Sequence, residues 1–171
     1  MSIYGYGNNL DITCKLDSSL KTTTSQYAVV GMVPGSSTSE NFTVCIAGQT
    51  GTMADATAAA YHAIGVLQTY QSSGSENGTV RLFGVSKATC AESIAAGRFV
   101  MAYWGASTST RAGQIVSVDN GVSCSAATTS ITAHAVILGR ALSNGSTNSV
   151  ITIIVNPQLY DMALVGSIGI T

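Results

Sequence analysis

The sequence predicts an all-β fold: a single small antiparallel β-barrel or sandwich with an extended N-terminal arm and a C-terminal extension. From Ala63 to Val155 the chain runs through short apolar segments rich in Val, Ile and aromatic residues, the types that suit a pleated, half-buried surface. Gly, Ser and Asn clusters separate them too closely for the helices of about ten residues or more that βαβ crossovers need. A length of 171 residues fits one domain with a real core of its own.

Residues 1–26 show little apolar periodicity and carry an Asn-Asn pair and a Ser/Thr run; they are expected to form the extended arm. The β domain is expected over 27–156. Tyr27 to Val33 opens it as a strand, and Pro34-Gly35-Ser36-Ser37 gives a turn. Phe42, Val44 and Ile46 alternate with Thr43 and Cys45, the period of a half-buried strand. Met53 to Ala60 is the one helical candidate, Ala-rich with Thr52 and Asp55 spaced like a short capping box. It has few large side chains to bury, so a turn or two is expected.

Strands are then expected at Ile64 to Leu67, Val80 to Val85, Phe99 to Tyr103, Ile115 to Val118, Ala135 to Leu138 and Val150 to Val155. The last is almost continuously apolar, which predicts a central strand buried on both faces. Asn77-Gly78 and Asn144-Gly145 read as tight turns. His62 to Leu67 and His134 to Leu142 echo one another imperfectly, as pseudo-symmetric hairpins or chance similarity would. Residues 157–171 are apolar but glycine-loosened, a last strand or a second arm.

Only 9% of residues are charged against 46% hydrophobic, where an average soluble domain carries about 25% charged. Ser, Thr, Gly, Asn and Gln must cover the surface, and such side chains lose little on being covered by a partner. The net charge is −1 and the Lys and Arg residues are scattered singly; without a basic patch, nucleic acid is not an expected partner. No apolar run reaches the roughly 18 to 20 residues of a helical membrane span, so no membrane partner is expected. The first residues lack the basic region and apolar core of a signal peptide, which predicts synthesis and folding in a cytosol.

The phrases Gly65-Val66-Leu67-Gln68, Val80 to Lys87, Ile94 to Val100, Gly113-Gln114-Ile115-Val116, Val136 to Leu142 and Ser149 to Val155, in that order and spacing, resemble the tailed-phage capsid cement, or head decoration, proteins. The likeness covers roughly the second half of the chain. It implies a small β protein on the outer surface of a phage head. It also implies attachment to the major capsid protein as a symmetric homo-oligomer, a trimer being favoured, and no enzymatic activity. The long N-terminal arm and the apolar C-terminal extension depart from the family pattern.

Catalytic, cofactor and metal residues are expected to be none. His62 and His134 are the two histidines, and no Gly-x-Ser-x-Gly elbow accompanies them. Ser18-Ser19-Leu20-Lys21 matches a Ser-x-x-Lys pattern, but neither Ser-Asp-Asn nor Lys-Thr-Gly follows. Asp119-Asn120-Gly121 is a turn before it is a calcium ligand set, and Gly5-Tyr6-Gly7 lacks the strand and third glycine of a dinucleotide fingerprint. Cys14, Cys45, Cys90 and Cys124 are too dispersed for a zinc pattern and read as buried or half-buried free thiols. Tyr4, Tyr6, Tyr103 and Trp104 are the candidate interface anchors, since Tyr and Trp offer large contact area at small entropic cost. For Tyr4 and Tyr6 the expectation is intersubunit contact; Tyr103 and Trp104 could equally close one end of the barrel. Two other functions fit the composition: a glycan-binding β-sandwich module of a fibre, and a self-polymerising tail-tube-like subunit.

Overall fold

A computed structural model of the chain describes residues 9–17, 20, 26–32, 43–47, 63–69, 77–103, 111–118 and 134–161. Nine strands run through them: β1 Leu10–Leu16, β2 Val29–Met32, β3 Thr43–Ile46, β4 Ala63–Leu67, β5 Asn77–Thr89, β6 Phe99–Ala102, β7 Ile115–Ser117, β8 His134–Ala141 and β9 Val150–Asp161. In the order β1-β3-β2-β4-β5, with β5 returning to pair β1, the first five close into a barrel. β1 and β3 run parallel, and the other pairings between strands are antiparallel. Closure removes the free strand edges that a charge-poor, Val- and Thr-rich sheet would otherwise offer to another chain.

The β5 strand serves two sheets. Asn77 to Phe83 is a barrel stave against β1, and Gly84 to Thr89 pairs instead with Val150 to Val155 of β9. The handover falls at Gly84, which holds a φ of 110°, a conformation that costs a residue with a Cβ but not glycine. A Cβ there would also run into Asn9 Oδ1. That same oxygen accepts the Val85 N–H at 3.3 Å, so Asn9 caps the backbone where the strand changes partners.

From β5 the second sheet continues β9-β8-β6-β7. Its far strand is tied back to the β5 end, where Cys90 bridges Ile115 and the Ala91 N–H donates to the Ile115 carbonyl at 2.8 Å.

Among the described residues two buried clusters result. Cys14, Leu16, Leu20, Val30, Val44, Leu67 and Val80 fill the barrel. Val29, Ala63 and Val66 on the outside of the barrel wall pack with Ala88, Val100, Leu138, Ile151, Ile153 and Val155 from the second sheet. Successive residues of β2 and β4 therefore point into different cores, and Val29, Val30, Val66 and Leu67 are all sealed from water. The Arg111–Gly113 turn adds polar stitching: Val29 N–H donates to the Gly113 carbonyl at 2.7 Å, and Gly113 N–H to Ala47 O at 3.2 Å.

The all-β expectation holds, as a closed five-stranded barrel with further strands. The strands expected between Tyr27 and Val155 are present, with bounds moved by a few residues. Four details differ. Part of the segment set apart as an arm is a barrel stave, because Leu10, Ile12, Cys14 and Leu16 alternate with Asp11, Thr13 and Lys15; Cys14 and Leu16 are buried. β9 runs on to Asp161, past the boundary expected at 156.

Val150 to Val155 is central but not buried on both faces: Ile151, Ile153 and Val155 point inward, while Val150 and Ile154 are 50% and 39% exposed. The doubly buried strands are β2 and β4. Neither Asn-Gly pair is a tight turn. Asn77-Gly78 pairs with Lys15 and Cys14 inside β5, and Gly145 bridges Ile94 where a Cβ would collide with Ile151. The helix expected at Met53 to Ala60 lies outside the described residues.

Candidate functional site

The second sheet turns an open face to solvent. The register sets Val85 of β5 beside Ile154 of β9, Ile154 beside Arg140 of β8, and Arg140 beside Phe99 of β6. Directly paired residues project from the same side of a sheet, so these four form one row across four strands. A second row follows, with Lys87 opposite Thr152 and the Leu142 N–H donating to the Thr152 carbonyl at 2.8 Å. Val150, opposite Thr89, begins a third.

Val85, Phe99, Leu142, Val150 and Ile154 are each between 39% and 50% exposed. The face thus offers hydrocarbon in a contiguous patch rather than as scattered single residues, the pattern that marks contact surfaces. The Arg140 guanidinium carbon lies 4.8 Å from the centre of the Phe99 ring, and the Lys87 ammonium 5.7 Å from that of Tyr27. Both cations remain exposed. A guanidinium resting on a ring keeps its charge while presenting a flat, weakly hydrated surface.

A second apolar feature is a groove of about 360 Å³ lined by Ile12, Met32, Ala63, Ile64, Leu82 and Pro157. Its lining side chains carry no titratable or nucleophilic group, so what they offer a ligand is hydrocarbon contact.

Burial pushes the Cys14 thiol up to about 11, and it also raises Cys45 and Cys90. All three are free, in line with the reading as buried or half-buried thiols, and such protonated sulfurs are poor nucleophiles. Among the described residues no three His, Cys, Asp or Glu side chains come together as a metal site would require. Nor does any helix among them have the length and apolar character to cross a membrane.

Of the four expected anchors, Tyr103 is described. It is half-buried just after β6, its N–H donates to the Gln114 carbonyl at 2.7 Å, and the Arg111 guanidinium carbon lies 5.9 Å from its ring centre. Tyr4, Tyr6 and Trp104 lie outside the described residues, as do His62, Asp119 and Cys124. The row through Ile154 was missed in the sequence because its members come from four segments. Its signal was present only in the register of four strands, which no single segment displays.

No protein-family model matches the chain, and no curated protein matches it in sequence. Among solved structures, the chain is similar to the N base of the head fiber gp8.5 of bacteriophage phi29. The likeness has 10% sequence identity and a TM-score of 0.46, and covers 86% of this chain and 94% of that one. So distant a likeness says nothing of shared function.

Proposed function

We propose that this chain is a non-enzymatic structural protein of a phage virion, a capsid decoration protein that binds the outer surface of the head and stabilises the shell. The reading rests on one observation: the ordered phrases that resemble the capsid cement proteins are the segments that build β4 to β9. Those segments include the sheet whose outer face leaves five large apolar side chains in water.

In this reading the partner is the major capsid protein, and the chain docks as a homo-oligomer, a trimer being favoured, about a symmetry axis of the lattice. A contact of ordinary size, about 800 Å² per partner, becomes a durable clamp when one oligomer grips several capsid subunits at once. Reinforcing a shell requires adhesion and stiffness and no chemical step.

The test is to add purified protein to heads assembled without it and to follow binding together with thermal or osmotic rupture. Saturable binding and later rupture are expected. Heads that neither bind the protein nor gain resistance would remove the proposal.

A further inference from the structure

We propose that the outward face of the second sheet is the docking surface, and that it takes a shell-protein surface presenting carboxylates around an apolar ridge. This rests on the function proposed above and names the face and the partner's chemistry.

The apolar part of the argument is the patch itself. Five of the eight large apolar side chains that stand exposed among the described residues lie on this one face or at its margin. They sit on a rigid support: β9 pairs with β5 and β8 on its two sides, and inward-pointing Ile151, Ile153 and Val155 anchor it from beneath. A surface held in place before contact loses little conformational entropy on docking.

Charge decides the occupant. Arg140 and Lys87 stand on the face, whereas the described acidic side chains do not: Asp11 is paired with Arg81 where β5 leaves the barrel, Asp17 lies near Cys45 on the barrel, and Glu92 accepts the Ser117 N–H. A second copy meeting this face with its own would bring cations against cations among apolar side chains, where water cannot screen them. Among the described side chains, the cations on and beside this face are too few to hold a polyphosphate backbone. A partner with carboxylates can pair with Arg140 in the bidentate geometry that guanidinium favours, while its apolar ridge covers Ile154, Val150 and Leu142. The trimer of the proposed function therefore uses a different surface.

The experiment measures equilibrium binding of the full chain to heads assembled without it, by sedimentation at two salt concentrations. Circular dichroism and melting temperature confirm the fold of each variant. Ile154→Glu is expected to weaken binding about a hundredfold or more, the loss typical of a central contact. Arg140→Glu with Lys87→Glu should weaken it at least about tenfold and abolish most of its salt dependence. Val150→Glu serves as the apolar test if Ile154→Glu lowers the melting temperature. Thr13→Glu, on the exposed side of β1, should bind like the parent.

If the parent binds but folded variants of this face bind equally well, the face assignment fails and the decoration function stands. A free oligomer that Ile154→Glu disperses would give the face to a second copy and overturn the assignment too. A parent chain that does not bind at all removes both.

Discussion

Arg81 shows how one side chain fastens two sheets. It reaches across to β1, where its Nε and Nη2 each donate to Asp11 at 2.8 Å, and its Nη1 donates to the Val85 carbonyl just beyond the point where β5 changes partners. Those hydrogen bonds, with the guanidinium charge behind them, hold the Asp11 carboxyl below its ordinary value of 3.8. A carboxylate whose folded pKa is depressed stabilises the fold at pH values above its unfolded pKa. That contribution is lost as pH falls through the folded value.

The pair is partly solvated, so it is worth at most about 1 kcal/mol. Asp11→Asn should therefore lower the urea midpoint modestly at pH 7, and the gap between the two proteins should close as the pH is taken well below 4. Equilibrium unfolding of both across pH 2 to 7 measures this. A gap that stays constant would mean that the charge of Asp11 contributes nothing.

At the scale of the element, the pivot in β5 is what allows one strand to serve a barrel and an open sheet. Gly84→Ala meets two obstacles, a positive φ and the Asn9 side chain occupying the space a Cβ needs. A loss of about 1–3 kcal/mol is expected. Asn9→Ala removes the second obstacle only, so the glycine substitution should cost less in that background, by about 0.5 kcal/mol or more. Denaturant unfolding of the two single variants and the double variant measures the coupling, and strict additivity would mean that Asn9 does not fill that space.

The same strand marks what the sequence could and could not display. Its middle, Val80 to Val85, is visible as apolar residues in a run, but its start is disguised by Asn77-Gly78, a pair that usually turns a chain. β1 was legible in principle, since Leu10, Ile12, Cys14 and Leu16 keep strand period. The polar Asn-Asn and Ser/Thr segments on either side hide it. Continuous hydrophobicity misled in β9, because burial on both faces depends on which layers lie above and below a strand, and that is settled by topology.

For the molecule as a whole, the described residues build two cores that share their walls. β2 and β4 each face the barrel interior with one residue and the second sheet with the next, and β5 is continuous through both. Order in one core therefore requires order in the other, and the chain should unfold as a single cooperative unit. Leu16 is sealed inside the barrel and Ile153 between the barrel wall and the second sheet.

Leu16→Ala and Ile153→Ala should each cost about 2–5 kcal/mol, and each should shift the entire transition rather than part of it. Calorimetry on the parent and both variants decides the matter. One heat-absorption peak whose calorimetric and van't Hoff enthalpies agree is expected throughout. Two peaks, with Leu16→Ala moving only one and Ile153→Ala only the other, would show that the barrel and the second sheet fold independently and that their shared strands do not couple them. Coupling of this kind would suit the proposed shell-binding role: load applied at the outward face through Ile154 would pass into β9, across the interlayer core to β4, and so into the closed barrel.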